Sequence, residues 1–310
     1  GERVERTYPL AFDDPRPPLA QRLARRGMYT IAVLDDGYSE IFRRGTGAEI
    51  GFGTYYETDR HGRGKRGDPA TIDLAVQALR TVPRTARFFL WVHMFGVHGP
   101  DEPHPGARTY EDTPVGRYDH EVASMDKELA RLLTELDQRP NKPAVIITAD
   151  HGEALDTWPR HHGLNLDEDE IRIPLIARVP GMRPGPVDGL VSLVDIFPTI
   201  LAITKTPAPA RMDGVDLMKA VRNDPSEASR ILLTETWKFE IDGSKQYDYI
   251  CARQGHEKII LDRMSYVTVT RDLDHPDDTF WLDYTLPSDA MSKALYGYLD
   301  ETGGEPRTED

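Results

Sequence analysis

Apolar residues recur along the chain with the spacing of helices in some segments and of strands in others. Residues 114–138 predict a long amphipathic helix, because apolar side chains return every three or four positions: Val115, Tyr118, Val122, Met125, Leu129, Leu132, Leu133 and Leu136. The charged residues between them predict a solvated face. Further helices are predicted after Pro17-Pro18, from Asp68-Pro69 and from Asp195 to Ile203.

Short apolar runs between these helices predict strands. They lie at residues 29–34, 87–94, 173–179 and in the run that ends at Asp150, whereas the glycine-rich residues 43–67 predict a loop. Helices that alternate with strands are typical of an α/β fold.

The pattern changes after about residue 206. Strand-like runs at residues 231–236, 247–253, 258–262 and 265–271 are separated by turn residues, and a helix is predicted from about Asp289 to Leu299. We therefore expect a main α/β domain over residues 1–205. A small antiparallel sheet with a helix and a polar tail is expected over residues 206–310.

Length, charge and cysteine content limit the size of the domain and the classes of partner. A chain of 310 residues is long enough for one large α/β domain with a smaller appendage. The formal charge of −14 argues against nucleic acid as the main partner. The single cysteine, Cys251, excludes an intramolecular disulfide, and no apolar run of 18 residues predicts a membrane span. Neither localisation nor oligomeric state follows from this composition.

The strongest candidates for metal-binding residues follow the apolar run from Ala144, which ends in Asp150-His151-Gly152-Glu153. Buried parallel strands deliver polar residues to the carboxyl edge of an α/β sheet, where such folds keep their sites. A carboxylate beside a neutral imidazole suits a divalent cation, and Gly152 allows a tight turn. The alternative is a buried ion pair followed by a turn.

Four other histidines are candidates for acid–base or anion-binding roles. His98 lies in a proline- and histidine-rich loop after a strand, and a solvated loop histidine is the alternative. His93 lies on the strand itself, where a hydrogen-bonded core histidine is favoured. His161 and His162 adjoin each other before Gly163, and an exposed loop pair is equally consistent with their sequence.

Several motifs, in order, resemble the sulfatase family of the alkaline phosphatase superfamily. They are Gly51-Phe52-Gly53, Phe88-Phe89-Leu90-Trp91-Val92-His93-Met94-Phe95-Gly96-Val97-His98-Gly99-Pro100, Tyr118-Asp119-His120-Glu121-Val122, Thr148-Ala149-Asp150-His151-Gly152-Glu153, Ile171-Arg172-Ile173-Pro174-Leu175-Ile176 and Val194-Asp195-Ile196-Phe197-Pro198. The resemblance runs from about residue 19 to residue 299.

This resemblance implies a mostly parallel sheet flanked by helices, with a small C-terminal antiparallel subdomain. It implies hydrolysis of a sulfate, phosphate or phosphonate monoester, a small anionic substrate, by a formylglycine nucleophile and a divalent ion (Ca, Mg, Mn or Zn). Asp150 and His151 match the metal-binding pair. His98 matches the histidine at the leaving oxygen, with His93 as a second candidate, and His161 or His162 lies where the family has a His-Gly turn.

The sequence departs from the family pattern in two places. Leu164 stands where many sulfatases carry a Lys or His that grips the ester. Neither Cys-x-Pro-x-Arg nor Ser-x-Pro-x-Arg, the source of formylglycine, occurs in the chain, and Cys251 reads as a small buried thiol. Asp35 and Asp36 only imitate the family's paired acids.

We therefore expect the chain to begin after the nucleophile segment and to be inactive or severely impaired alone. The alternatives are a sulfatase-like module without catalysis, or an enzyme related to the phosphoglycerol and phosphoethanolamine transferases.

Overall fold

A computed structural model describes residues 17–35, 42, 45–58, 68–98, 110–155, 162–187, 189–221, 229–239, 245–265, 267–274, 282–283 and 290–302. The chain divides into two compact units. The first unit comprises residues 1–144 with 204–206, and the second comprises residues 145–203 with 207–310. The domain boundary expected after residue 205 stays a prediction.

The first unit is built on a parallel sheet. Its elements are α1 (Leu19–Ala24), β1 (Tyr29–Asp35), β2 (Thr54–Thr58), α2 (Asp68–Thr81), β3 (Phe88–His93) and α3 (Pro114–Asp137). The strand order is β2-β1-β3, and both pairings are parallel. Ile31, Ala32, Val33 and Leu34 of β1 are almost fully buried, as expected for a central strand with helices packed on it. This sheet confirms the predicted α/β class.

Strand β2 corrects the prediction of a loop over residues 43–67. Its sequence, Thr54-Tyr55-Tyr56-Glu57-Thr58, is rich in the β-branched and aromatic residues that strands favour. Pairing with β1 buries Tyr55, whose hydroxyl donates to the carbonyl oxygen of Phe42 at 2.6 Å. Five residues between glycine-rich segments are too short a run to predict a strand clearly from the sequence. The parallel pairing with β1 fixes them in the extended conformation.

Helix α3 begins at the predicted residue and ends at Asp137, one residue before the predicted end, and it buries only part of the predicted apolar face. Thr113 caps it by accepting a hydrogen bond from the Gly116 N–H at 3.0 Å. Leu132 and Leu136 are buried as expected, close to where Glu135 pairs with Arg80 of α2. The expectation that its acids all lie on a solvated face is wrong, because the structure buries Glu121 and Glu128 and exposes Val115 and Val122.

The second unit begins with β4 (Val145–Thr148), α4 (Glu168–Ile171), β5 (Leu175–Arg178), a 3₁₀ turn (Leu193–Asp195), α5 (Ile196–Thr204) and α6 (Leu217–Val221). The prediction that a buried parallel strand delivers Asp150 and His151 is wrong for the described pairing. Strand β4 is half-buried and runs antiparallel to β5. The apolar run predicts a strand, but it carries no information on the direction of the neighbouring strand.

The rest of the second unit is an antiparallel sheet in the order β10-β9-β8-β7-β6 with one helix. Its elements are β6 (Leu232–Phe239), β7 (Lys245–Gln254), β8 (Glu257–Asp262), β9 (Val267–Asp272), β10 (Leu282–Asp283) and α7 (Ala290–Thr302). The sheet residues Ile250, Ala252, Ile259 and Leu261 form a core with Met291, Leu295 and Leu299 of α7. This arrangement confirms the predicted C-terminal sheet and helix and adds the short strand β10. Within the described ranges, no helix is both long and apolar enough to cross a membrane.

Candidate functional site

Asp150 and His151 lie just beyond the carboxyl end of β4 and face each other. The ring Nε2 atom of His151 lies 3.6 Å from Oδ2 of Asp150, and the backbone N–H of His151 donates to Oδ1 of Asp150 at 3.0 Å. On the opposite side of the ring, Nδ1 lies 2.8 Å from the carbonyl oxygen of Gly152. A carbonyl oxygen only accepts, so Nδ1 carries a proton. In the neutral ring, Nε2 then presents its lone pair toward the carboxylate.

His162 joins this pair through ring stacking. The ring centroids of His151 and His162 are 3.9 Å apart, with 21° between the ring planes. The Nδ1 atom of His162 lies 3.3 Å from Oε2 of Glu153. The side chain of Glu153 is 13% exposed, whereas those of Asp150 and His151 are 73% and 39% exposed. The cluster of Asp150, His151, Glu153 and His162, called the histidine pair site below, therefore opens to solvent on its Asp150 side.

Gly152 holds the backbone of this site against α4. Its N–H donates to the carbonyl oxygen of Glu170 at 2.7 Å. A Cβ atom at Gly152 would lie 2.0 Å from the carbonyl oxygen of Asp169. The glycine is therefore needed for this close approach of two backbones. This reason differs from the tight turn expected from the sequence.

The turn at residues 163–165, which follows His162, is held from two directions. Oε2 of Glu170 accepts the N–H groups of Leu164 and Asn165 at 3.1 and 3.4 Å. The carbonyl oxygen of Gly163 accepts the hydroxyls of Thr236 and Tyr247 at 2.7 and 2.8 Å. Leu164, which departs from the family pattern, is 39% exposed. Its backbone, and not its side chain, makes the polar contact in this turn.

Tyr247 is kept as a hydrogen-bond donor by its surroundings. Burial raises the pKa of its phenol, and the nearby Glu170 and Tyr249 raise it further. The hydroxyl thus keeps its proton near neutral pH and donates to Gly163.

The residues of the histidine pair site fit a divalent cation in part. Two donors bound to one cation at about 2.0–2.4 Å each lie roughly 3–4 Å apart, and the His151 Nε2 to Asp150 Oδ2 distance of 3.6 Å is in this range. Among the described residues, no group of three or more His, Cys, Asp and Glu side chains has the geometry of a metal site. The role of Asp150 and His151 as ligands stays a prediction.

The other candidate histidines, His93 and His98, belong to the first unit. His93 ends β3, and its Nδ1 donates to the carbonyl oxygen of Asp35 at 2.7 Å. Its ring contacts Phe42 edge-on at a centroid distance of 4.8 Å. This half-buried, hydrogen-bonded position is the one favoured for a core histidine.

His98 lies in an exposed turn whose start is anchored by Asp68. Oδ1 of the buried Asp68 accepts the N–H groups of Phe95 and Gly96, each at 3.1 Å. The ring of His98 stacks on Phe95 at a centroid distance of 4.4 Å, and the backbone N–H of His98 donates to the Phe95 carbonyl oxygen at 3.2 Å. The position is compatible with proton transfer, which stays a prediction.

The remaining predicted residues divide between the core and the parts outside the description. Asp35 is fully buried at the end of β1, and Cys251 is buried in β7, where burial raises the pKa of its thiol. His161 and Asp36 lie outside the described residues. The structure thus brings Asp150, His151 and His162 together in the second unit.

Sequence reasoning missed three residues that shape these segments: Glu170, Tyr247 and Asp68. Each is distant in sequence from at least one group that it binds, and none belongs to a compact motif. The acid at position 68 was visible only as a helix start, and Tyr247 only as a strand residue. The partners of these side chains are set by tertiary contacts.

The family model for Sulfatase matches residues 19–206 of the chain, more than half of its length. The chain belongs to the sulfatase family. The match covers the parallel sheet of the first unit and the histidine pair site of the second. The quoted motifs therefore identified the family correctly.

Relatives agree with this assignment, and solved structures agree with the fold. Arylsulfatase K of Canis lupus familiaris is 35% identical over 99 residues, which are 32% of this sulfatase chain but only 18% of the relative. BT4656, solved in complex with its substrate D-glucosamine-2-N,6-O-disulfate, superimposes with a TM-score of 0.69 at 13% identity, over 93% of this chain and 82% of that one. The phosphonate monoester hydrolase of Silicibacter pomeroyi has a TM-score of 0.65 at 14% identity, over 93% and 79%. These structures support the fold.

Proposed function

We propose that this sulfatase chain takes part in metal-dependent hydrolysis of sulfate esters, with Asp150 and His151 as ligands of the divalent ion. The fixed tautomer of His151 carries the proposal. Its Nδ1–H is committed to the Gly152 carbonyl oxygen, so Nε2 offers a lone pair 3.6 Å from the Asp150 carboxylate. A second group that fixes the opposite ring nitrogen is typical of histidines that bind metals.

The other residues are assigned by the contacts they can make. His162, with Nδ1 beside Glu153, can donate from Nε2–H to an anionic oxygen when both ring nitrogens carry a proton. His98, exposed and stacked on Phe95, can release a proton to the leaving oxygen. His161 is a second candidate for the His162 role and His93 for the His98 role, although the bond from His93 to Asp35 favours a structural role. When bound, a divalent ion polarises an ester oxygen.

The family and the structural neighbours support the proposed substrate class. BT4656 was solved with a sulfated sugar, and a phosphonate monoester hydrolase shares the fold. A small anionic ester is thus the proposed substrate, with sulfate favoured over phosphate or phosphonate monoesters. A divalent ion, Ca, Mg, Mn or Zn, offsets locally the repulsion between an anion and a chain of formal charge −14.

Metal binding is the direct test on this chain. Titration of the 310-residue protein with Mn²⁺ in a calorimeter is expected to give one site, which Asp150→Asn weakens by at least about tenfold, as expected when a ligand is lost. Asp126→Asn is the matched control, because Asp126 is an exposed acid on α3 and the same charge is removed. Equal affinity of the two variants would refute Asp150 as a ligand.

A non-catalytic sulfatase-like module is the second candidate. Exposed Leu164 in place of a cationic or imidazole side chain favours it, because leucine cannot grip an anion. This candidate predicts that the natural protein carries no formylglycine peptide, whether or not the chain binds Mn²⁺. Peptide mapping of the natural protein by mass spectrometry therefore separates the two functions, and the calorimetric titration tests the metal site alone.

A further inference from the structure

The position of His162 depends on contacts made by residues outside the histidine pair site. His151 and His162 stack at 3.9 Å, although they lie on different segments of the chain. Stacking of this kind persists only when both backbones are held, because rings on free loops lose rotamer freedom when they pair. The residues that hold the two backbones therefore determine the geometry of the pair.

Glu170 contacts both of these segments. Its backbone carbonyl oxygen accepts the Gly152 N–H, one residue after His151. Its side-chain Oε2 accepts the N–H groups of Leu164 and Asn165, which follow His162. Glu170 is 2% exposed, and hydrogen bonds from N–H groups to a buried carboxylate are stronger than neutral ones. One residue thus links the backbones on which the two rings are carried.

The antiparallel sheet holds the 163–165 turn from the other direction. Thr236 of β6 and Tyr247 of β7 both donate to the Gly163 carbonyl oxygen. In the β6–β7 ladder Thr236 pairs with Tyr249 and Lys238 with Tyr247, so the two hydroxyls project from one face of the sheet. With Glu170 on the N–H groups of Leu164 and Asn165 and the two hydroxyls on the Gly163 carbonyl oxygen, the turn is held at two of its donors and one of its acceptors.

We propose that Glu170 and Tyr247 are positioning residues of this sulfatase, which hold His162 against His151 by fixing the 163–165 turn. The proposal rests on the proposed function for the catalytic role of His151 and His162. The contacts of Glu170 and Tyr247 with the 163–165 turn do not depend on that function. Glu170 and Tyr247 themselves need not touch substrate. They act through the backbone beside His162, and their loss is expected to separate the two imidazole rings without unfolding the protein.

The experiment compares Glu170→Gln and Tyr247→Phe with the unmodified chain, using Asp169→Asn as the matched control. Asp169 is exposed on the same short helix, so this control removes one negative charge beside Glu170. Glu170→Gln keeps the shape of the side chain and replaces a charged acceptor with a neutral one. Tyr247→Phe removes only the hydroxyl that donates to Gly163. Neither change opens a large cavity.

Three readouts distinguish positioning from a general effect on stability. In NMR spectra, the ring-to-ring nuclear Overhauser contact between His151 and His162 is expected to weaken in both variants and to persist in Asp169→Asn. Exchange of the Leu164 and Asn165 amides is expected to speed up about tenfold in Glu170→Gln, the effect of weakening a charged hydrogen bond. Mn²⁺ affinity is expected to fall about tenfold in Glu170→Gln, because the ring of His162 packs on the proposed ligand His151. The urea midpoint of this variant is expected to match that of Asp169→Asn.

The outcomes separate this proposal from the proposed function. An unchanged ring contact in both variants overturns the positioning role, even if the urea midpoint falls. If Asp150→Asn lowers Mn²⁺ affinity but Glu170→Gln does not, the metal site stands and its dependence on Glu170 is refuted. If the unmodified chain binds no Mn²⁺, the metal role fails, and the ring contact with the amide exchange decides the positioning role alone.

Discussion

At the scale of single residues, Gly152 shows how a correct expectation can rest on the wrong reason. The sequence indicates that a glycine after Asp150-His151 serves a tight turn. In the structure its hydrogen atom faces the carbonyl oxygen of Asp169, and its N–H donates to Glu170. The glycine is required because two backbones meet, a fact that concerns residues 17 or more positions away in the chain and that a local pattern does not carry.

Gly152→Ala is expected to destabilise the second unit by about 1–3 kcal/mol, the range for overpacking. The new Cβ atom would lie 2.0 Å from a backbone oxygen, which cannot rotate away as a side chain can. Urea denaturation measures the change. Gly189→Ala is the control, since its Cβ meets nothing within 4 Å, and it is expected to be neutral or slightly stabilising. Equal midpoints for the two variants would contradict the close approach.

At the scale of elements, salt bridges connect the antiparallel sheet to α4. Lys258 of β8 and Arg253 of β7 are directly opposite each other in the ladder, and like charges in that position repel. The carboxylate of Glu168 accepts hydrogen bonds from both side chains, from Lys258 Nζ at 3.0 Å and from Arg253 Nη1 at 2.8 Å. Lys258 Nζ also donates to the Leu166 carbonyl oxygen. The Lys258 side chain is fully buried, so its charge relies on these partners.

Glu168→Gln is expected to lower the free energy of unfolding by about 3 kcal/mol, because it leaves a buried ammonium beside a guanidinium. The value is the lower end of the range for broken buried pairs, since Glu168 is 28% exposed. Adding Lys258→Met is expected to recover part of the loss, because the buried charge is then gone. Glu257→Gln, an exposed change on β8, serves as the control in the same denaturation series. A double variant less stable than Glu168→Gln would argue against charge as the cause.

At the scale of the whole molecule, the chain belongs to a family of hydrolases but lacks the motif that supplies the family's nucleophile. The chain belongs to the sulfatase family, but its 310 residues contain neither Cys-x-Pro-x-Arg nor Ser-x-Pro-x-Arg. The matched segment covers 18% of the length of canine arylsulfatase K. Metal binding and catalysis are therefore separate questions for this chain, and each needs its own measurement.

Hydrolysis of an aryl sulfate by this chain with Mn²⁺ is expected to stay at the uncatalysed rate. Loss of a nucleophile has cost on the order of a million-fold in kcat where it has been measured, in subtilisin. A sensitive chromogenic assay checks this, with the Asp150→Asn variant as the background. Turnover that requires Mn²⁺ and disappears in Asp150→Asn would mean that another residue of these 310 serves as nucleophile.

The sequence by itself determined the fold class, the C-terminal antiparallel sheet, the family and the pairing of Asp150 with His151. Helical and strand periods are local, and adjacent residues remain adjacent in any fold. Only the tertiary structure decided that β2 joins the parallel sheet, that β4 pairs antiparallel with β5, and that His162 stacks on His151. It also placed Glu170 and Tyr247 on the turn beside His162. These contacts join residues far apart in the chain, and their free energies depend on burial and geometry that no local pattern records.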